Sequence, residues 1–385
     1  MGKITVVGGG LAGLVAAIGC AEGGAKVTLY EARSHLGGKA RTAPGPFGAN
    51  MGPHVIYDDG ASWAWLAKRD LVGSEPRSPL RGIRFHYQGK LRRLPPAALV
   101  GLLTARRERA PQDQDFLGWA TERWSPQTAR MLANGAGVFT FDHDPGRLSA
   151  AFVWERLTRV FAPKPPGARY IVGGWGSLVS RLADRAREMG VDVLTNTKVD
   201  DLPESPVILA TGLGTARRLL SDDGLIWEGT RTALLDIGLV ARKGDPFIVW
   251  DLDASAWVER FSAPDPSVAA DGHSLLQAQV GLRPGEMLDK GVSRLEELLD
   301  AGYPAWRDRE VWRRRSAVTD SSGALDLPGR SWQDRPAVAH GNGVFLAGDM
   351  VAAPGLLSEV SFVSAAQAAK GALVHAATHP TNIAL

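Results

Sequence analysis

The stretch that most constrains this chain is KITVVGGGLAGLVAAIGCAEGGAKVTLYE, from Lys3 to Glu31. Lys3 to Val7 is a short β-rich run, Leu11 to Gly24 has the small-residue composition of a packed helix, and Lys26 to Glu31 predicts a second strand. Between the first strand and the helix, Gly8, Gly10 and Gly13 stand at G-x-G-x-x-G spacing. In a strand-turn-helix-strand setting that spacing predicts a dinucleotide-binding turn. Gly8 makes the tight turn, Gly10 lets the backbone approach a pyrophosphate, and Gly13 lets the helix pack close to the sheet. Leu11 and Ala12 open the helix, whose N-terminal amides carry partial positive charge toward that phosphate. Glu31, followed by Ala32 and Arg33, closes the second strand, where a carboxylate accepts from the adenosine ribose hydroxyls and repels a 2′-phosphate. The predicted fold class is α/β with a Rossmann-type domain, and this unit alone leaves NAD and FAD both open.

Length and composition narrow the partners. A chain of 385 residues predicts two modules. Hydrophobic residues at 44% and charged ones at 22% are globular values. A formal charge of +3 is too small for nucleic-acid binding without a concentrated basic stretch. The two nearest candidates, Arg106-Arg107-Glu108-Arg109 and Arg313-Arg314-Arg315, read as a solvated face or a strand edge. The single cysteine, Cys20, excludes an internal disulfide framework, fits a reducing cytoplasm and reads as a small buried side chain. The glycine turn starts at Gly8, which leaves no room ahead of it for a charged leader and an apolar core. No apolar run reaches the roughly 20 residues that span a bilayer. A soluble, cytoplasmic protein is expected.

The next segments favour the longer dinucleotide. In Leu36-Gly37-Gly38-Lys39-Ala40-Arg41-Thr42 two glycines allow close backbone approach, and Lys39 and Arg41 offer cations to a diphosphate. Asn50-Met51-Gly52-Pro53-His54 comes next, farther along an extended cofactor. Together these segments resemble the pattern that follows the dinucleotide fold in the phytoene desaturase and flavin amine oxidase superfamily. Two positions depart from it: Lys39 stands where Arg is usual, keeping the charge without the bidentate fork, and Asn50 stands where Asp is common. The resemblance continues in order along the chain. Gly173-Gly174-Trp175-Gly176-Ser177-Leu178, an amphipathic helix to Met189 and the strand Val191 to Thr195 resemble the family's return into its FAD domain. Val199 matches the position whose backbone meets the adenine, and the buried-strand run from Val207 ends in Ala210-Thr211-Gly212. Near the C-terminus Gly343 to Leu346 leads into Gly348-Asp349, where the family's Asp accepts from the ribityl chain. A helix from Glu359 and Val360 to Ala372 follows, with its N-terminus expected toward the flavin ring.

The resemblance implies a glutathione-reductase-like FAD domain assembled from residues 1–57, 170–216 and 331–385, and an α+β substrate domain from residues 58–169 and 217–330. In the second domain Ala233 to Val240, Phe247 to Trp250 and Leu275 to Val280 read as strands of a mixed or antiparallel sheet, and Glu286 to Ala301 reads as a helix. FAD is expected to bind noncovalently, since Cys20 lies far from where a thioether to the ring would form. The implied chemistry is dehydrogenation of a small or lipophilic organic substrate to C=C or C=N by hydride transfer to flavin N5; the sequence leaves the reoxidant open among oxygen, a quinone and another carrier. The alternatives are an amine oxidase proper, a redox-neutral isomerase using reduced flavin, an NAD dehydrogenase, and a nucleotide-bound carrier without turnover.

Catalytic side chains are less legible. In the segment where the superfamily's amine oxidases carry an aromatic that frames the amine, Ser358-Glu359-Val360-Ser361-Phe362-Val363 offers only Phe362 and no Tyr or Trp, which tilts the reading away from a simple amine oxidase. His54 is the single catalytic candidate, placed by the resemblance beside the flavin ring, with a packed, hydrogen-bonded histidine as the other reading. The histidines show no zinc-like spacing with an acid, so no metal is expected. Trp63, Trp65, Trp119, Trp154, Trp250 and Trp257 read mainly as core packing. The apolar run Leu94 to Leu103 reads first as a buried helix of the substrate domain and second as a segment that dips into a membrane to collect a lipid.

Overall fold

The computed structural model describes residues 2–51, 55–79, 81–105, 107–161, 167–320 and 323–379, without the side chains of 103 and 104. Gly52, Pro53 and His54 therefore lie outside the described residues.

The N-terminal run forms the strand Lys3–Val7, the helix Leu11–Glu22 and the strand Lys26–Tyr30. They enter a six-stranded sheet whose spatial order is Ala339–Gly341, Val344–Leu346, Val207–Leu209, Lys3–Val7, Lys26–Tyr30 and Asp192–Leu194. Every pair is parallel except the antiparallel edge hairpin at residues 339–346. Strand alternation divides the apolar side chains between two faces. Ile4, Val6, Leu29 and Ile208 pack under the helices Leu11–Glu22, Trp175–Glu188 and Ser358–Thr378. Val7, Val207, Leu209 and Leu346 pack on the other side, with Ala216 and Leu219 of the helix Leu213–Leu220. Leu14, Val15 and Ile18 are fully buried, each contributing roughly 1.5–3 kcal/mol of transfer free energy. Cys20 is buried beside them, and that burial pushes its thiol up to about 12.

A second sheet has seven strands, in the order Glu310–Thr319, Arg231–Val240, His273–Gly281, Ala256–Arg260, Ile248–Asp251, Ile83–Tyr87 and Lys90–Arg92. Its pairs are antiparallel except for Ile83–Tyr87 with Ile248–Asp251, so it is mixed as expected. One face is apolar and is covered by the helix Leu288–Gly302 through Val292, Leu295, Leu298 and Leu299. The opposite face buries polar groups, among them Asp236, Gln277 and Glu259. Those groups tie the two halves of the molecule together. The Gln277 amide donates to the Asn50 carbonyl at 2.9 Å and accepts from the Asn50 N–H at 3.2 Å. Arg314 donates to the same carbonyl at 2.6 Å and to Asp236 at 2.7 Å. The basic run at 313–315 is thus a sheet-edge strand whose alternate residues point in and out.

Trp65, Trp119, Trp154, Trp250 and Trp257 are packing elements. Trp119 and Trp154 meet edge to face at 5.0 Å, and Trp250 stacks on Phe161 at 5.5 Å. Trp257 packs against Phe141, and Trp65 against Phe362. Among the described residues no helix is long and apolar enough to cross a membrane.

Candidate cofactor site

At the carboxyl ends of the parallel strands lies a cavity of about 460 Å³. Such a crevice is the expected ligand position in an open α/β sheet. The glycine turn forms its floor, and the residues there are held by backbone geometry. Gly8 has φ of 106°, and a Cβ on it would sit 2.4 Å from the Ala210 carbonyl oxygen. A Cβ on Gly13 would sit 1.8 Å from the Gly8 oxygen, so the helix can approach the turn only with glycine there. Gly10 differs, since no neighbour would come closer than 3.9 Å to its Cβ. Its open side belongs to the cavity, as do Gly8, Leu11 and Ala12. The helix N-terminus at Gly10 has no side-chain cap, leaving its amides for a ligand.

Glu31 lines the same cavity with Ala32 and Arg33. Its carboxylate accepts from the Gly9 N–H at 2.8 Å and from the Arg33 N–H at 2.9 Å, which fixes its position beside the turn. Gly37, Gly38 and Lys39 form the next wall. The Gly37 N–H donates to the Gly9 carbonyl at 2.8 Å, so the second glycine loop is stitched to the first. Lys39 reaches across to Asp349 at 2.7 Å and also donates to the Asp320 carbonyl. The Asp320 carboxyl is raised by burial, against the opposing pull of Lys39.

Val199, Ala210, Thr211, Gly212, Gly348 and Asp349 complete the predicted lining. Ser364, fully buried, accepts from the Gly348 N–H at 3.0 Å and so holds the turn that presents Asp349. Segments far apart in sequence are thereby gathered around one space.

Several predicted residues stand outside the lining. Gly13 acts through packing, as described. Arg41 turns back to the Gly38 carbonyl at 3.1 Å and to His35. Met51 offers its sulfur to Arg314 at 3.7 Å. Val360 is buried in the helix Ser358–Thr378, and Glu359 is engaged by Arg159 at 2.7 and 2.9 Å. From that helix terminus Leu357, Ser358 and Ser361 reach the cavity instead. Gly52, Pro53 and His54 fall outside the described residues. Asn50 serves the architecture: its side-chain oxygen accepts from the Trp175 N–H and the Thr42 hydroxyl, both at 3.0 Å.

Other wall residues escaped the sequence reading. Tyr30, Thr197 and Lys198 sit near Glu31 and Val199, and Thr215 and Arg218 come from one face of the helix Leu213–Leu220. Val55 and Trp175 also line the cavity. Thr197 and Lys198 had only adjacency to Val199 as a signal, and Trp175 stands inside the Gly173 to Leu178 motif without having been assigned to the cofactor. Arg218 had none, because its partners, the Val199 and Asp200 carbonyls, come from the other side of a strand connection.

Away from the cavity, His86, Asp251 and Asp253 bring three ligand-type atoms within 4.8 Å of one another. The sequence hides this group because His86 and the Asp251–Asp253 segment lie far apart in the chain. Their bonds explain them as a hairpin clasp. Asp253 accepts from the Gln88 and Gly89 N–H groups at 3.0 Å, and Asp251 accepts from the Asp253 N–H at 2.9 Å while contacting His86 at 3.0 Å.

Residues 6–71 match the family model described as an NAD(P)-binding Rossmann-like domain. A 4,4'-diaponeurosporene oxygenase of Staphylococcus haemolyticus is 35% identical over 95 residues, covering 23% of this chain. The match spans 19% of that protein, about a fifth of its length. Solved structures extend the likeness to nearly the whole chain. An oxidoreductase from Methanosarcina mazei superposes with a TM-score of 0.77 at 15% identity, covering 96% of this chain and 100% of that one. Cyclohexylamine oxidase from Brevibacterium oxydans gives a TM-score of 0.72 at 16% identity, covering 97% and 99%. The fold expected from the resemblance, a Rossmann-type domain joined to a second α+β unit, is borne out.

Proposed function

We propose that the chain binds FAD noncovalently in this cavity and is an FAD-dependent oxidoreductase that dehydrogenates a small or lipophilic organic substrate to C=C or C=N. One observation carries the reading: the glycine turn, Glu31, Gly37 to Lys39, Val199, Thr211-Gly212 and Gly348-Asp349 surround a single space. Each of these groups has a role suited to a long dinucleotide. The open face of Gly10 and the uncapped helix amides suit the pyrophosphate. Glu31 suits the adenosine ribose, and Asp349, held by Lys39 and the Ser364-anchored turn, suits the ribityl hydroxyls. Bound flavin supplies the hydride acceptor. The protein's share is to hold the substrate carbon over the ring and keep water away.

The boundaries 1–57, 170–216 and 331–385 for the cofactor domain, with 58–169 and 217–330 for the substrate domain, belong to the same proposal. So does a cytoplasmic location, which suits the single cysteine. The reoxidant is oxygen or a quinone, separable by anaerobic reoxidation of the reduced protein with each.

The visible absorption spectrum of the purified protein, before and after heat denaturation, tests the core of the reading. A flavin spectrum with the chromophore released on denaturation is expected. A colourless chain that FAD cannot reconstitute overturns the proposal. Glu31→Ala and Asp349→Ala should each weaken FAD binding by roughly 10- to 100-fold, the range for a hydrogen bond to a charged group. Unchanged flavin content in both variants would refute the assignment of these two residues. Substrate-dependent bleaching of the flavin distinguishes dehydrogenation from a carrier, whose flavin would stay oxidised, and from an isomerase, which needs the flavin reduced first.

A further inference from the structure

Among its described side chains the helix Ala97–Ala105 carries apolar residues on a covered side and on an exposed one. Leu99 and Leu102, each 1% exposed, enter the core formed with Trp119, Phe152 and Trp250. The opposite stripe, Ala97, Val100 and Gly101 at i, i+3, i+4 spacing, is exposed to solvent. A helix that is hydrophobic all round belongs in a core or a membrane. The loop entering this helix continues the apolar surface with Leu94, which at 78% has the highest exposure of any large hydrophobic side chain among the described residues.

Cations frame this patch. Lys90, Arg92 and Arg93 precede it, Arg107 and Arg109 follow it, and all five are exposed. Among the described residues none of them has an acidic partner, while the acid between the last two, Glu108, is engaged by Arg123 at 3.1 Å. Edge protection accounts for Lys90 and Arg92, which keep the outermost strand of the seven-stranded sheet from pairing. It does not account for Leu94 and Val100.

We propose that residues 90–94 and the outward face of the helix Ala97–Ala105 form a docking surface for an anionic lipid bilayer. Exposed apolar side chains flanked along the chain by cations that have no acidic partner complement the two layers of such a surface, acyl boundary and headgroup charge. A second copy of the chain is the poorer occupant, because a two-fold contact through this patch sets the same cations, none of them neutralised by an acid, against one another. The proposal is independent of what the cofactor cavity holds.

Co-sedimentation of the purified chain with vesicles tests it. Binding is expected to vesicles of phosphatidylglycerol mixed with phosphatidylcholine, to weaken as salt screens the charges, and to be far weaker with phosphatidylcholine alone. The double variant Leu94→Glu, Val100→Glu should lose at least about tenfold in affinity. Arg92→Ala with Arg93→Ala should lose about tenfold or more. Unchanged circular dichroism in both variants confirms that they fold. The proposal fails if the chain stays in the supernatant with anionic vesicles at low salt, or if the Leu94→Glu, Val100→Glu variant sediments as the parent does. It also fails if the patch proves to hold a dimer in solution that the same double variant dissolves.

Discussion

Glu259 is a carboxyl group with no cation bonded to it among the described residues: fully buried on the polar face of the second sheet, it receives the Tyr170 hydroxyl. Burial pushes its pKa from 4.5 to about 7, with the Tyr170 bond pulling the other way. A carboxyl raised in this way binds its proton more tightly folded than unfolded. Its contribution to stability is therefore full below pH 4.5, declines as pH rises through the window to about 7, and is lost above it. At about 1.4 kcal/mol per pH unit the decline is on the order of 3 kcal/mol. Glu259→Gln keeps the shape and removes the titration. Urea unfolding at pH 5, 6, 7 and 8 should show stability falling more steeply in the parent chain than in the variant. Parallel pH profiles would mean that Glu259 is ionised throughout. Residues of this kind are invisible in sequence, because burial by distant strands, not residue type, sets their chemistry. The glycine turn is the opposite case: Gly8 and Gly13 are legible because only glycine tolerates the approach of Ala210 and Gly8 oxygens at those positions.

At the scale of elements, legibility follows burial. Lys3–Val7, Val207–Leu209 and Val344–Leu346 read correctly because parallel strands covered on both faces are apolar runs. Ile83–Tyr87 and Lys90–Arg92 escaped notice, and Glu310–Thr319 was legible only as a basic run at a solvated face or strand edge, because edge or near-edge strands carry Arg, Lys and His; the strands that pair Ile83–Tyr87 and Glu310–Thr319 into the sheet lie far along the chain. The helix Ser358–Thr378 was anticipated, but what holds its start was not. Leu357, just before it, has φ of 55°, a sparsely populated conformation for a side-chain-bearing residue. The Glu359 carboxylate holds that turn by accepting from the Leu356 N–H at 2.8 Å and from Arg159, which also pairs with Asp59 at 2.7 Å. Arg159→Ala leaves a buried carboxylate unpaired and should cost roughly 2–4 kcal/mol, at the lower end because Arg159 itself reaches solvent. Glu359→Gln in the Arg159→Ala background should recover part of that loss, giving a clear coupling in a double-mutant cycle. Additive effects in denaturant unfolding would show that the pair does not secure the turn.

For the whole molecule the decisive question is whether the two sheets unfold together. The cavity wall draws residues from Val7 to Ser361, so a ligand there can bind only when the parallel sheet and the C-terminal helix are both in place. The second sheet is bound to that assembly through Asn50, whose backbone is held by Gln277 and Arg314 and whose side chain is held by Trp175 and Thr42. Cutting these bonds would expose Asp236 and Gln277, which are buried against them. Independent melting of either sheet is therefore costly, and a ligand at the first sheet should raise the stability of both. With FAD at about a thousandfold above its dissociation constant, mass action adds about 4 kcal/mol to the folded state. For a chain of this size that corresponds to a rise in thermal midpoint of about 5 °C. Scanning calorimetry of the protein stripped of FAD and then reloaded should show one transition that moves upward as a unit. Two transitions of which only one moves would mean that the Asn50 ties do not couple the sheets. A midpoint indifferent to FAD would mean that the cofactor does not occupy this cavity.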